Sequence, residues 1–167
     1  ARRARRGDVD ARFERGVQHL GDQNEGDRDQ ERDQLDPGDP NRDGCDPESS
    51  SDVLIEDSLF DTGDDCIALK SGRNADGRRL KTPVERVVVR NCRMRAGHGG
   101  VTIGSEISGG ARDVYAERCV MSSPDLDRGL RIKTNAMRGG VIENVFVRDI
   151  EIGKAHDESK LPKIFQV

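Results

Sequence analysis

Four stretches of this chain can be laid over one another. DVLIEDSLFDTGDDCIALKSG begins at Asp52, RVVVRNCRMRAGHGGVTIGSE at Arg86, DVYAERCVMSSPDLDRGLRIKTN at Asp113 and NVFVRDIEIG at Asn144. In this register Val53, Val87, Val114 and Val145 coincide, and two residues on so do Ile55, Val89, Ala116 and Val147. The starts are 34, 27 and 31 residues apart. A repeat of that length is one supersecondary unit per period. Each unit holds a short β-branched run, a polar corner, a glycine-containing turn and a second short alternating run. No helix-length span separates the runs, and no two-residue hairpin turn joins them, which argues against a sandwich. The expected fold is all-β: a partial right-handed parallel β-helix of about four rungs, preceded by an irregular N-terminal segment.

Average composition points elsewhere, with 36% charged, 32% hydrophobic and 3% aromatic residues. Such values lean toward disorder. The average joins two different texts. Residues 1–51 contain five of Val, Ile, Leu, Met and Phe, whereas residues 52–153 contain thirty, so only the second part can build a core. We expect residues 1–40 to be irregular, either a disordered linker or a stretch read out of frame, and residues 41–167 to form the partial β-helix. No apolar run approaches the ~20 residues of a spanning helix, and ARRARRGD lacks the apolar region of a leader sequence. The net charge of −4 carries no basic patch interleaved with aromatics, so no nucleic acid and no membrane partner is expected. Cys45, Cys66, Cys92 and Cys119 show no metal-ligand spacing and read as buried free thiols.

The rung register also gathers polar groups. Gly63-Asp64-Asp65-Cys66-Ile67-Ala68-Leu69-Lys70 aligns with Gly97-His98-Gly99-Gly100-Val101-Thr102-Ile103-Gly104, and two extra residues near Asp127 bring Leu130-Arg131-Ile132-Lys133 into frame. Ile67, Val101 and Leu130 then stack inward, as do Leu69, Ile103 and Ile132. Ala68, Thr102 and Arg131 face outward with Lys70, Gly104 and Lys133. Asp64 and His98 take equivalent corners of neighbouring rungs, roughly 4.8 Å apart. Paired carboxylates beside a histidine suit acid–base cleavage of a glycosidic bond, one acid protonated and one ionised. Arg131 and Lys133 suit a carboxylate on the sugar. Scarce aromatics fit a charged glycan better than a neutral one held by stacking. Arg73, Arg78, Arg79 and Arg138 are either a cleft wall for further acidic sugars or ordinary solvated side chains.

Asn41-Arg42-Asp43, Gly63-Asp64-Asp65, Gly97-His98-Gly99 and Arg131-Ile132-Lys133 occur in that order. Together they resemble the polygalacturonase-type glycoside hydrolases of family 28 over about residues 41–153, and the sequence around them is similar to the bacterial exo-acting branch. The resemblance implies hydrolysis of α-1,4-galacturonosidic bonds with inversion, and an acidic pectic polysaccharide as partner. Asp64 matches the general acid, Asp43 and Asp65 the pair that activates water, and His98 the histidine that tunes the acid. Arg131 and Lys133 match the residues that hold the galacturonate carboxylate. No cofactor and no metal is implied, a monomer is expected, and the location is secreted or periplasmic. The chain departs from the family in Arg42, where Thr or Asn is usual, and in lacking a Tyr after Arg131-Ile132-Lys133. It reads as a fragment whose activity alone is in doubt. A non-catalytic β-helix that binds acidic polysaccharide and a lyase on the same scaffold are the alternatives.

Overall fold

The computed structural model describes residues 18–19 and 41–152. The remainder of the N-terminal segment assigned to 1–40, and residues 153–167, lie outside the described residues. Strands β1 (Gln18–His19), β2 (Ser51–Glu56), β3 (Leu59–Asp61) and β4 (Asp65–Leu69) precede helix α1 (Asn74–Leu80). Strands β5 (Val84–Arg90), β6 (Arg93–Gly97), β7 (Gly99–Gly104) and β8 (Ala111–Glu117) follow. The last are β9 (Asp125–Leu126), β10 (Leu130–Lys133) and β11 (Ile142–Arg148).

They form three parallel sheets, ordered β1-β2-β5-β8-β11, β10-β7-β4 and β3-β6-β9. Each turn of chain visits all three, giving a β-solenoid of about three turns, with β11 adding a fourth repeat to the first sheet. The expected register holds. Val53 pairs with Val87, Val87 with Val114 and Val114 with Val145. Ile67 pairs with Val101 and Val101 with Leu130. In-register parallel stacking places like residues in columns, so the inward columns merge into one ladder. Val87, Val89, Ile67, Leu69, Val101 and Ile103 are fully buried there.

The corners recur as faithfully. Asp57, Asn91, Arg118 and Asp149 all take left-handed backbone, with φ of 52°, 54°, 51° and 53°. Asp and Asn tolerate that region better than other residues with a Cβ, which accounts for the polar corner in each repeat. Between rungs, Arg86 Nε and Nη2 donate to Asp52 at 2.7 and 2.8 Å, and Arg90 Nε donates to Glu56 at 2.7 Å. Such exposed pairs contribute at most about 1 kcal/mol each, so the ladder of apolar side chains carries most of the stability.

Two inward positions differ in degree from expectation. Ile132 is only half-buried, and Val147 is 42% exposed. Both stand on the last described strand of their sheets, where no described rung covers them. The cysteines are all unpaired, with Cys66, Cys92 and Cys119 buried. Among the described residues no helix is long and apolar enough to cross a membrane.

Candidate active site

The four motifs meet on the outer side of the β4-β7-β10 sheet. Residues 42–48 stack on β4 as a partial further rung, since Asp64 N donates to Arg42 O at 2.9 Å and Gly44 N to Asp65 O at 2.9 Å. Cys45 and Glu48 pair in parallel with Ile67 and Lys70. Asp43 therefore lies beside Asp64 and Asp65, and one oxygen from each of the three carboxylates falls within 4.8 Å of the others.

Each carboxylate has its own partner. Asp65, whose side chain is 3% exposed, accepts from Arg131 Nη1 at 3.3 Å and Lys133 Nζ at 3.2 Å. A carboxylate that deep is tolerable only when paired. Asp64 is more open and meets His98 Nδ1 at 3.0 Å, while His98 N donates to the Asp64 carbonyl at 2.9 Å. Asp43 accepts from Asp65 N at 3.0 Å through Oδ1 and from Lys70 Nζ at 3.0 Å through Oδ2. Burial works against charge on Asp43, but the Lys70 bond and the Asp65 N–H outweigh it and hold its carboxyl below the ordinary carboxylate range. Lys70 also donates to Asp46 Oδ2 at 2.5 Å. Burial and the Asp43 charge together push the Asp46 carboxyl up. The positive charge that faces the acid cluster is thus supplied by side chains of the chain itself.

Arg131 and Lys133 reach Asp65 across an intervening strand, because β7 lies between β4 and β10. That crossing explains the second glycine of Gly97-His98-Gly99. A Cβ at Gly99 would lie 2.8 Å from Asp65 Oδ1, closer still to Thr102 Oγ1, and 3.5 Å from Arg131 Cβ. The first glycine has a different cause. Gly97 has φ of +140°, and a Cβ there would overlap the Asp64 carbonyl oxygen. The motif is a histidine presented between two positions that exclude side chains.

All six site residues named from the sequence, Asp43, Asp64, Asp65, His98, Arg131 and Lys133, come together here. Ala68 and Thr102 do not face solvent as expected. Both are fully buried; for Thr102 the reason is the Asp65–Arg131 pair, which spans its rung. Thr102 Oγ1 has no hydrogen-bond partner among the described residues. The arginine-rich stretch after β4 forms α1. Arg78 Nη1 donates to Met137 O at 2.7 Å, and Arg138 Nη1 to Asn74 Oδ1 at 2.7 Å. These two residues tie α1 to the loop after β10; Arg73, Arg78 and Arg79 are all exposed, and Arg79 Nη2 lies 3.8 Å from Asp76 Oδ1 within the helix. Tyr115 stacks on Phe146 with ring centroids 5.0 Å apart, on the first sheet and away from the acids. Sequence reasoning placed Lys70 on the outer face without a role. Its signal was a position in the same column as Lys133.

Fold and site define a class: a parallel β-solenoid bearing a carboxylate–imidazole cluster, with cations beside it, on one outer sheet. Residues 28–158 match the model for glycosyl hydrolases family 28, and the chain belongs to that family. It is similar to a probable polygalacturonase of Vitis vinifera, 39% identical over 110 residues, covering 65% of this chain and 22% of the relative. An exo-poly-alpha-D-galacturonosidase of Dickeya chrysanthemi is 34% identical, over 65% of this chain and 18% of its own length. A solved structure of a hyperthermoactive exopolygalacturonase from Thermotoga maritima is 44% identical, with a TM-score of 0.61 over 67% of this chain and 28% of its own. The chain spans about a fifth to a quarter of the length of these relatives.

Proposed function

We propose that the chain carries the acid–base site of a hydrolase that cleaves α-1,4-galacturonosidic bonds in pectic polysaccharide, acting from a chain end. The observation that carries this reading is the unequal partnering of three adjacent carboxylates. Asp43 and Asp65 each sit against a permanent cation, whereas Asp64 sits against a titratable imidazole. A cation in contact favours the ionised form of a carboxyl, so Asp43 and Asp65 are the poorer proton donors of the three. Asp64, backed by His98, is therefore the acid that protonates the leaving oxygen. Asp43 and Asp65 together take the proton of the attacking water. Arg131 and Lys133 use one contact each on Asp65, leaving further N–H groups for the uronate carboxylate.

The nearest carboxylate oxygens, within 4.8 Å, are closer than the ~6.5–9.5 Å general for inverting pairs. Inversion remains the proposed course because the base side is a pair that shares one water rather than a lone group. Proton NMR of the first-released anomer tests this directly, and initial release of the retained anomer would refute it. A polymeric pectic substrate favours an enzyme outside the cytoplasm, secreted or periplasmic.

Incubation with polygalacturonate should release reducing ends without the absorbance of an unsaturated product, and Asp64→Asn should abolish the release. An unsaturated product would indicate a lyase. No release from the parent, with polygalacturonate binding unchanged in Asp64→Asn, would favour a non-catalytic polysaccharide-binding solenoid. Linear rhamnogalacturonan in parallel tests the choice of backbone.

A further inference from the structure

Lys70 follows Leu69 at the end of β4, and its backbone is fixed on both sides. Its N–H donates to Pro47 O at 3.0 Å and its carbonyl accepts from Ser49 N at 2.9 Å. The side chain turns to the outer face and is 21% exposed, as is that of Asp43. Lys133 shares this column, yet the two lysines diverge. Lys133 Nζ goes to Asp65, while Lys70 Nζ sits between Asp43 at 3.0 Å and Asp46 at 2.5 Å.

Two contacts orient a carboxylate plane. For Asp43 they are the Asp65 N–H on Oδ1 and Lys70 on Oδ2. Only the second brings a full charge, and only the second is a side chain that substitution can remove. We propose that Lys70, steadied on its other side by Asp46, is a positioning residue that fixes the Asp43 carboxylate as a proton acceptor. The inference rests on the role given to Asp43 above.

The groups around this pair agree with it. Asp43 faces Asp46 on its own segment, Asp64 and Asp65 at the head of β4, and Lys70 beyond the end of that strand. Arg131 and Lys133 are engaged by Asp65, and Glu106 feels Lys70 from the segment after β7. Among the described residues, Lys70 is thus the cation in direct contact with Asp43. Without it, Asp43 and Asp46 would meet as like charges, which favours protonation of one of them. The lowered carboxyl of Asp43 and the raised carboxyl of Asp46 fit that arrangement.

Two readouts on the same proteins test the proposal. One is the titration midpoint of the Asp43 carboxyl by carbon-13 NMR, which requires no turnover. The other is the acidic limb of kcat/KM on polygalacturonate. Lys70→Met should raise the Asp43 midpoint by about one pH unit or more and move the acidic limb with it. Lys70→Arg should keep both near the parent, and Asp46→Asn should not raise the midpoint. Lys70→Gln carries the same expectation as Met, should an apolar side chain there disturb folding. An unmoved midpoint in the folded Lys70 variants would overturn the proposal, as would a raised midpoint with a stationary acidic limb. A raised Asp43 midpoint in Lys70→Met, together with a parent chain that shows no activity, would uphold the Lys70–Asp43 link and reject the hydrolase reading instead.

Discussion

Replacing Gly99 by Ala is expected to damage the site through one added methyl. The new Cβ would stand 2.8 Å from Asp65 Oδ1, about 0.6 Å short of ordinary contact at 3.4 Å, and would press harder on Thr102 Oγ1. Gly99 is not at a positive φ, so the backbone accepts alanine and the whole effect falls on these side chains. Asp65 cannot retreat freely, because Arg131 and Lys133 hold it. Overpacking of this kind costs about 1–3 kcal/mol in stability. On the role proposed for Asp65, moving its carboxylate by a sizeable fraction of an ångström should cost about 10-fold to 100-fold in kcat. The two effects separate in a double-mutant cycle with Thr102→Ala. Removing the Thr102 hydroxyl relieves the tighter clash and an unpaired buried oxygen, so the double variant should recover about 1 kcal/mol or more. It should not recover kcat, because the Asp65 contact persists. Urea unfolding and initial rates on polygalacturonate measure the two quantities. Unchanged stability in Gly99→Ala, or recovery of kcat in the double variant, would refute the reasoning.

Other expectations follow from the same geometry. His98→Ala should lower kcat with little effect on urea stability, since the side chain is 49% exposed; a loss of about 10-fold or more is expected on the proposed role of His98 beside the acid. Ile103→Ala removes a fully buried side chain on the middle rung and should cost about 2–5 kcal/mol, whereas Ile132→Ala, half-buried on β10, should cost clearly less in the same unfolding assay. Burial acts upward on the Glu85 carboxyl, but the bonds from Arg86 and Arg112 outweigh it and hold it below the ordinary value. Its contribution is then fully present above the unfolded value of about 4.3 and fades as pH falls through the lower folded value. Glu85→Gln should therefore cost up to about 1 kcal/mol at neutral pH, and the gap to the parent should close in unfolding curves taken below pH ~4.

Much of the solenoid was readable because its rules are local and periodic. The offset between Val53 and Val87, or between Asp64 and His98, equals one turn of chain, and alternation by two sorts inward from outward residues. The sequence also showed a polar corner in each repeat, and the structure puts Asp57, Asn91 and Asp149 there in left-handed backbone. Exposure was less readable. Thr102 has the alternation of an outward residue but is fully buried, because a pair between residues 65 and 131 crosses above it. The arginines after β4 carried no pattern from which Arg78 and Arg138 could be seen to anchor α1.

The sequence by itself determined the parallel solenoid, its register and the set of polar residues that share one outer sheet. Stacking in register turns positions in the sequence into columns, and nothing else is needed to know which residues are neighbours. Only the tertiary structure decided which cation serves which carboxylate. Arg131 and Lys133 pass over a rung to Asp65, Lys70 turns back to Asp43 and Asp46, and His98 stays with Asp64. Those choices depend on distances between side-chain tips, on the empty space left by Gly99, and on competition among several opposite charges for the same few ångströms. A one-dimensional register does not encode that competition.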